Sequence, residues 1–218
     1  MNFSLVRHAA ACGVPDPEKF AEKCLRLRAL LIEANEKVNL TRLTGEEDFA
    51  VKHVADSLEL PACFPEYAAK ETRIADLGCG AGFPSLVLAA AFPLWHVTAI
   101  DSTGKKIGFV RTAAAALGLG NLTAVHGRVN ELNRKEEFQG KFDIVTARAV
   151  ADSATLVRDA SHFPAPGGCF LFYKTPGQAE EELPRLKKSF PQRQWRATAP
   201  RLLPCGAGTR LFIAGTPR

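Results

Sequence analysis

The sequence predicts an α/β fold on an open, mostly parallel sheet covered on both faces. Three observations carry this. Short apolar runs alternate with helix-forming segments from Thr72 to Phe190, a glycine-rich turn closes the first run, and two strand-like runs end the chain. Upstream, Phe20, Cys24, Leu27, Leu31, Ala34 and Val38 recur at steps of three and four, which predicts an amphipathic helix from Pro17 to about Leu40. A second helix is expected from Glu46 to Leu60, stopped by Pro61, with Phe49, Val54 and Leu58 facing inward. Residues 1–70 therefore read as a helical extension packed on a core of residues 71–218, itself one compact unit.

Within that core the expected strands are "RIADLG", "HVTAID", "LTAVHG", "FDIVTA" and "CFLFYK". Helices are expected at Pro84 to Phe92, Lys105 to Leu117, Asp152 to Phe163 and Gln178 to Phe190. The runs "WRATAPRLL" and "TRLFIAG", joined across Pro204, Cys205, Gly206 and Gly208, predict an antiparallel hairpin on one sheet edge.

With 218 residues and 46% hydrophobic content, the chain is long enough for one substantial core. A formal charge of +5 fits a polyanionic partner without requiring one. The six cysteines show no C-x-x-C pair, which disfavours a zinc site and a disulfide framework and fits reduced thiols. No leader-like segment or apolar stretch of membrane-spanning length stands out, so a soluble cytoplasmic protein is expected.

In "ADLGCGAGFPSL", Gly78, Gly80 and Gly82 stand at a strand-to-helix turn, where glycine permits a sharp bend and lets a ligand approach the main chain. The spacing is G-x-G-x-G, so Phe83 takes the place of the third glycine of the dinucleotide pattern, and no G-K-[ST] follows. "HVTAIDS" ends the next strand in Asp101, followed by Ser102. A carboxylate there is placed to accept from both hydroxyls of a ribose, although a helix cap would use the same residue. Loop and acid together favour an adenosine ligand.

The segments "NEKVNLTRLTG", "VKHVADSL", "DLGCGAGFPSL", "AIDSTGKKIGFV", "HGRVNEL" and "FDIVTARAV" resemble the small-subunit ribosomal RNA guanine-N7 methyltransferases, with a fainter echo in "GTRLFIAG". The resemblance implies a class I, Rossmann-like S-adenosylmethionine (SAM) methyltransferase. Its sheet would be mostly parallel and seven-stranded with an antiparallel terminal hairpin, and its substrate a guanine in the 530 loop of 16S rRNA. By matching positions, Gly78 and Phe83 would belong to the cofactor loop and Asp101 would hold the ribose, with Gly80, Gly82 and Ser102 also expected to bind the cofactor. Val129 and Asn130 would border the adenine, with Asn130 where the family usually has Glu. Arg148 would lie between cofactor and RNA, and Lys174 would be catalytic, although "YKTPG" replaces the usual "LKG".

Guanine N7 has an in-plane lone pair and no proton, so its methylation needs alignment and no general base. What is missing agrees. "TARAVAD" stands where an exocyclic-amine enzyme would carry an Asn/Asp-Pro-Pro-aromatic turn, and Cys79 and Cys205 read as structural. Arg148 follows an expected buried strand at the sheet's carboxyl edge and is a candidate to hold the base or its phosphates. His53, Asp56 and Ser57 share a helix face, and His53 is the third catalytic candidate, placed to touch the base or to orient Asn39 or Thr41. Arg128, Lys105 and Lys106, with Lys19, Lys23 and Arg26, are candidates for tracking RNA phosphates. Arg128 reads almost as well as a solvated surface charge, and each of the other groups taken separately reads also as a solvated face. No metal is implied, and a monomer is expected. Two other readings are a non-catalytic RNA-binding assembly factor and a nicotinamide-dependent oxidoreductase, the latter disfavoured by Phe83.

Overall fold

The computed structural model describes residues 3–218. Ahead of the sheet lie α1 (Leu5–Ala11), α2 (Pro17–Asn35), α3 (Glu46–Asp48) and α4 (Asp56–Cys63), with a π-helical stretch, Phe49–Ala55, between the last two and a 3-10 turn, Pro65–Tyr67, after α4. The first of them had no counterpart in the sequence reading. Helix α2 stops at Asn35, short of Leu40, because the Asn35 side chain accepts from the amides of Leu40 (2.8 Å) and Thr41 (3.0 Å) and turns the chain.

Pro61 does not stop the next helix, contrary to expectation; α4 runs through it to Cys63. A proline cannot donate to the carbonyl four residues back, here that of Ser57. The buried Tyr173 hydroxyl donates to that carbonyl instead, at 2.7 Å, so the break in the ladder is satisfied from the sheet.

The sheet comprises β1 (Thr72–Leu77), β2 (Trp95–Asp101), β3 (Leu122–His126), β4 (Phe142–Arg148), β5 (Pro164–Lys174), β6 (Arg193–Ala197), β7 (Arg201–Leu202) and β8 (Thr209–Pro217). Its order is β3-β2-β1-β4-β5-β8-β6, with β7 paired to β8 off the main path. The first five strands pair in parallel, and β8 runs antiparallel to both β5 and β6. The path is the seven-stranded sheet the resemblance implied, with the terminal hairpin at one edge. The helices between strands are α5 (Ser85–Ala91), α6 (Gly104–Ala116), α7 (Val129–Leu132), α8 (Ser153–Asp159) and α9 (Pro176–Ser189).

Strand alternation divides the core. On β5, Cys169, Leu171 and Tyr173 join the cluster shared with α1, α2, α4, α5 and α6, whereas Phe170 and Phe172 join the cluster beneath α7, α8 and α9. Both faces are thus covered, and Phe20, Leu27, Leu31 and Leu58 of the leading helices belong to the first cluster. The carboxyl ends of β1, β2 and β4 are left facing a crevice, where open α/β sheets place their ligands.

Candidate functional site

Two adjoining cavities open at that edge. One, of about 420 Å³, is lined by the glycine turn, Phe83, Asp101, Ser102, Lys106 and Arg148 from the sheet side, and by Leu40, Thr41 and His53 from the leading helices. The other, of about 380 Å³, lies against Arg128, Val129, Asn130, Ala151, Thr155 and Leu156. Gly78, Ser102 and Val150 line both, so the pair forms an elongated crevice across the ends of β1, β2 and β4.

The turn's geometry explains its glycines. Gly78, Gly80 and Gly82 all have positive φ, at +70°, +57° and +87°. A Cβ on Gly80 would meet nothing, because this residue faces open cavity, whereas one on Gly82 would run into the packed Leu86 side chain. The amides of Gly78 and Cys79 donate to the Ile100 carbonyl at 2.8 and 2.9 Å, which hangs the turn on the end of β2.

Asp101 is buried at the joint between turn and crevice. Its Oδ2 accepts from the Gly80 amide at 2.9 Å and its Oδ1 from the Thr103 amide at 2.8 Å. It therefore makes a short turn ahead of α6 and also presents each oxygen with a lone pair to spare. Asp76, missed in the sequence reading, sits fully buried at the end of β1 and accepts from the amide and hydroxyl of Ser85. Burial pushes its pKa up to about 6, and its Oδ1 has no partner.

His53 and Arg148 face the same cavity. The imidazole stacks on Phe83 with 4.2 Å between centroids, and the Arg148 guanidinium lies 5.9 Å from the same ring. His53 Nε2 donates to the Leu43 carbonyl at 3.2 Å and lies 3.5 Å from the Thr41 hydroxyl, so it anchors the Thr41–Leu43 loop at the cavity rim. Burial, and then the neighbouring Arg148, lower its pKa to about 4, and the ring is neutral at pH 7. Arg148 Nη1 donates to the Lys52 carbonyl (2.9 Å) and to Asp56 (3.0 Å), which fixes it against the π-helical stretch.

Other candidates stand apart. Lys174 lines neither cavity: its buried ammonium is bound to Glu182 of α9 at 2.8 Å, and Glu182 also accepts from the Ser153 amide. β5 turns this side chain toward α9, so the residue expected to be catalytic lies in a buried ion pair outside the crevice. Arg26 donates to the Ala116 carbonyl at 2.7 Å and caps the end of α6, and Lys19 and Lys23 lie on α2 outside both cavities. Lys105 borders an apolar groove between α2 and α6, separated from the main cavity by Leu40. Arg128 is exposed at the mouth of the second cavity. All six cysteines are free, no cluster of three metal-ligating side chains occurs among the described residues, and no described helix is long and apolar enough to cross a membrane.

Residues 21–200 match the model of the GidB family, described as rRNA small subunit methyltransferase G. The chain belongs to this family. Its relatives include proteins named ribosomal RNA small subunit methyltransferase G. That of Gloeobacter violaceus is 40% identical over 72% of this chain and 62% of its own length, and that of Limosilactobacillus reuteri 37% identical over 82% and 73%. The chain thus spans under two thirds of the Gloeobacter relative's length. Among solved structures, cofactor-bound Rv0187 from MTB superposes with a TM-score of 0.62 (16% identity, 88% of this chain and 90% of that one). A SAM-dependent O-methyltransferase from Thermotoga maritima gives 0.58 (18%, 86% and 71%). These two show the fold, which this GidB-family chain shares.

Proposed function

We propose that this GidB-family chain transfers a methyl group from SAM to N7 of a guanine in the 530 loop of 16S rRNA, acting as a monomer in the cytoplasm. The observation that carries the reading is one continuous crevice in which the glycine turn and Asp101 meet His53, Phe83 and Arg148. The residues fit the cofactor. Gly80 leaves its face open to a ligand, Asp101 keeps acceptor capacity for ribose hydroxyls, and Val129, Asn130 and Leu156 offer a half-apolar slot of a size for adenine.

When bound, SAM supplies a methyl carbon activated by a positively charged sulfur. The chain's residues have to orient and exclude water. No strong base faces the cavity: the unprotonated Nδ1 of His53 is buried and its pKa is lowered to about 4, and Asp101 is tied to two amides. Attack by guanine N7 requires none, since N7 gives up no proton. Phe83, backed by His53, supplies an apolar wall for a planar base, and the Arg148 guanidinium offers donors for guanine O6 or a phosphate. Lys106 on the rim, with Arg128 and Lys105 nearby, adds positive charge along the path of the RNA backbone.

Incubation with labelled SAM and 30S subunits lacking the modification tests the reading: label is expected in one guanine and in no adenine or cytosine. Arg148→Ala separates enzyme from assembly factor, since an enzyme loses transfer while subunit binding persists. Unchanged assembly support by an inactive variant favours the second.

A further inference from the structure

The "GTRLFIAG" motif has no part in the crevice, yet its arginine reaches a residue that does. Arg210, on β8, takes Asp56 in a fork, with Nε to Oδ1 at 2.6 Å and Nη2 to Oδ2 at 2.9 Å. Asp56 is buried, and its Oδ2 also accepts from Arg148 Nη1 at 3.0 Å. One carboxylate thus serves two guanidiniums, and the cluster keeps a surplus positive charge beside the proposed RNA path.

The division of bonds matters. A carboxylate holds a guanidinium best through two parallel bonds, and Arg210 occupies that arrangement. Arg148 is left with Nη1 alone on Asp56 and the Lys52 carbonyl, so its Nε and Nη2 hydrogens have no partner among the described residues. We propose that Arg210 is a positioning residue: by saturating Asp56, it holds Arg148 by one nitrogen and keeps the other donors of Arg148 free for the RNA. Without Arg210, Asp56 takes Arg148 in the fork and draws it off the Phe83 ring. The hairpin keeps a second tether, Arg201 to Glu59 at 2.5 Å, so removing Arg210 leaves it attached to α4. This role rests on the methyl-transfer reading above.

The test compares wild type, Arg210→Met, Asp56→Asn and the double variant in steady-state methyl transfer to unmodified 30S subunits, with SAM affinity measured by calorimetry. For Arg210→Met, kcat is expected to fall roughly tenfold or more while SAM affinity stays within about twofold, because a small displacement of a positioned group is costly. The double variant should regain most of that loss, since the carboxylate that withdraws Arg148 is gone; a purely structural role predicts that it is at least as impaired as Arg210→Met. Should Arg210→Met not fold, Arg210→Lys carries the same comparison, with a lowered kcat that Asp56→Asn restores. An unimpaired arginine variant, or a double variant no faster than the single, overturns the positioning role. A wild type that transfers no methyl overturns the functional reading itself.

Discussion

The His53 imidazole lies nearly parallel to the Phe83 ring, 15° between planes, and Phe49 meets both rings edge-on at about 6 Å. Phe83 stands where a dinucleotide fold would place its third glycine, so the aromatic that departs from that pattern is also the one that joins the leading helices to the glycine turn. This packing holds His53 uncharged, with its pKa lowered to about 4 by burial and by Arg148. An unfolded chain takes up the proton near pH 6.5. Between those values the unfolded state binds more protons, so stability falls as pH drops through the window and the loss is complete near pH 4. Denaturant titrations at pH 7 and pH 5 should show wild type losing about 2 kcal/mol more stability than His53→Gln, the opposite contribution of the buried Asp76 being common to both. Equal losses in both proteins would contradict the assignment.

The glycine turn separates conformational strain from ligand contact. Gly80→Ala places a methyl in open cavity at φ +57°, costing about 1 kcal/mol of stability, whereas Gly82→Ala adds a collision with the buried Leu86 and costs roughly 2 kcal/mol more. Melting curves should rank them in that order. Gly80→Ala should nonetheless bind SAM about tenfold more weakly, since its methyl stands where the ligand meets the main chain. Wild-type affinity in that variant would remove Gly80 from the site.

Lys174 is buried against Glu182, away from both cavities, which predicts a role in the fold. Lys174→Met leaves the buried Glu182 without its cation and should cost roughly 3 kcal/mol, with SAM affinity unchanged at a permissive temperature. A second change, Glu182→Leu, should return most of that stability. A variant that is stable but inactive would restore Lys174 to the catalytic group.

These outcomes mark where the sequence was readable. Strand, glycine turn and acid follow one another locally, so Gly78, Phe83 and Asp101 could be placed from spacing, as could Arg148 at the end of β4. Pro61 misled because its rescue comes from Tyr173, far along the chain. Asp56 and Arg210 are 154 residues apart, and no periodicity connects them; only the pairing of β8 beside β5 brings the arginine to α4. Lys174 matched by position, but the side of the strand it faces is set by packing against α9.

Asp101 offers the simplest cofactor test. Asp101→Ala removes the proposed ribose contacts and should weaken SAM binding by about tenfold to a hundredfold, as expected for charge-assisted hydrogen bonds of about 1.5–3 kcal/mol. Calorimetry with wild type and variant in parallel checks it, and matched affinities would place the ribose elsewhere.

The most direct measurement is chemical. Borohydride and aniline break RNA chains selectively at N7-methylguanine. After incubation of unmodified 30S subunits with the protein and SAM, primer extension across the 530 loop should stop at one new guanine, and Arg148→Ala should erase the stop. Full methyl incorporation without any such scission would mean that the crevice delivers its methyl group to a different atom.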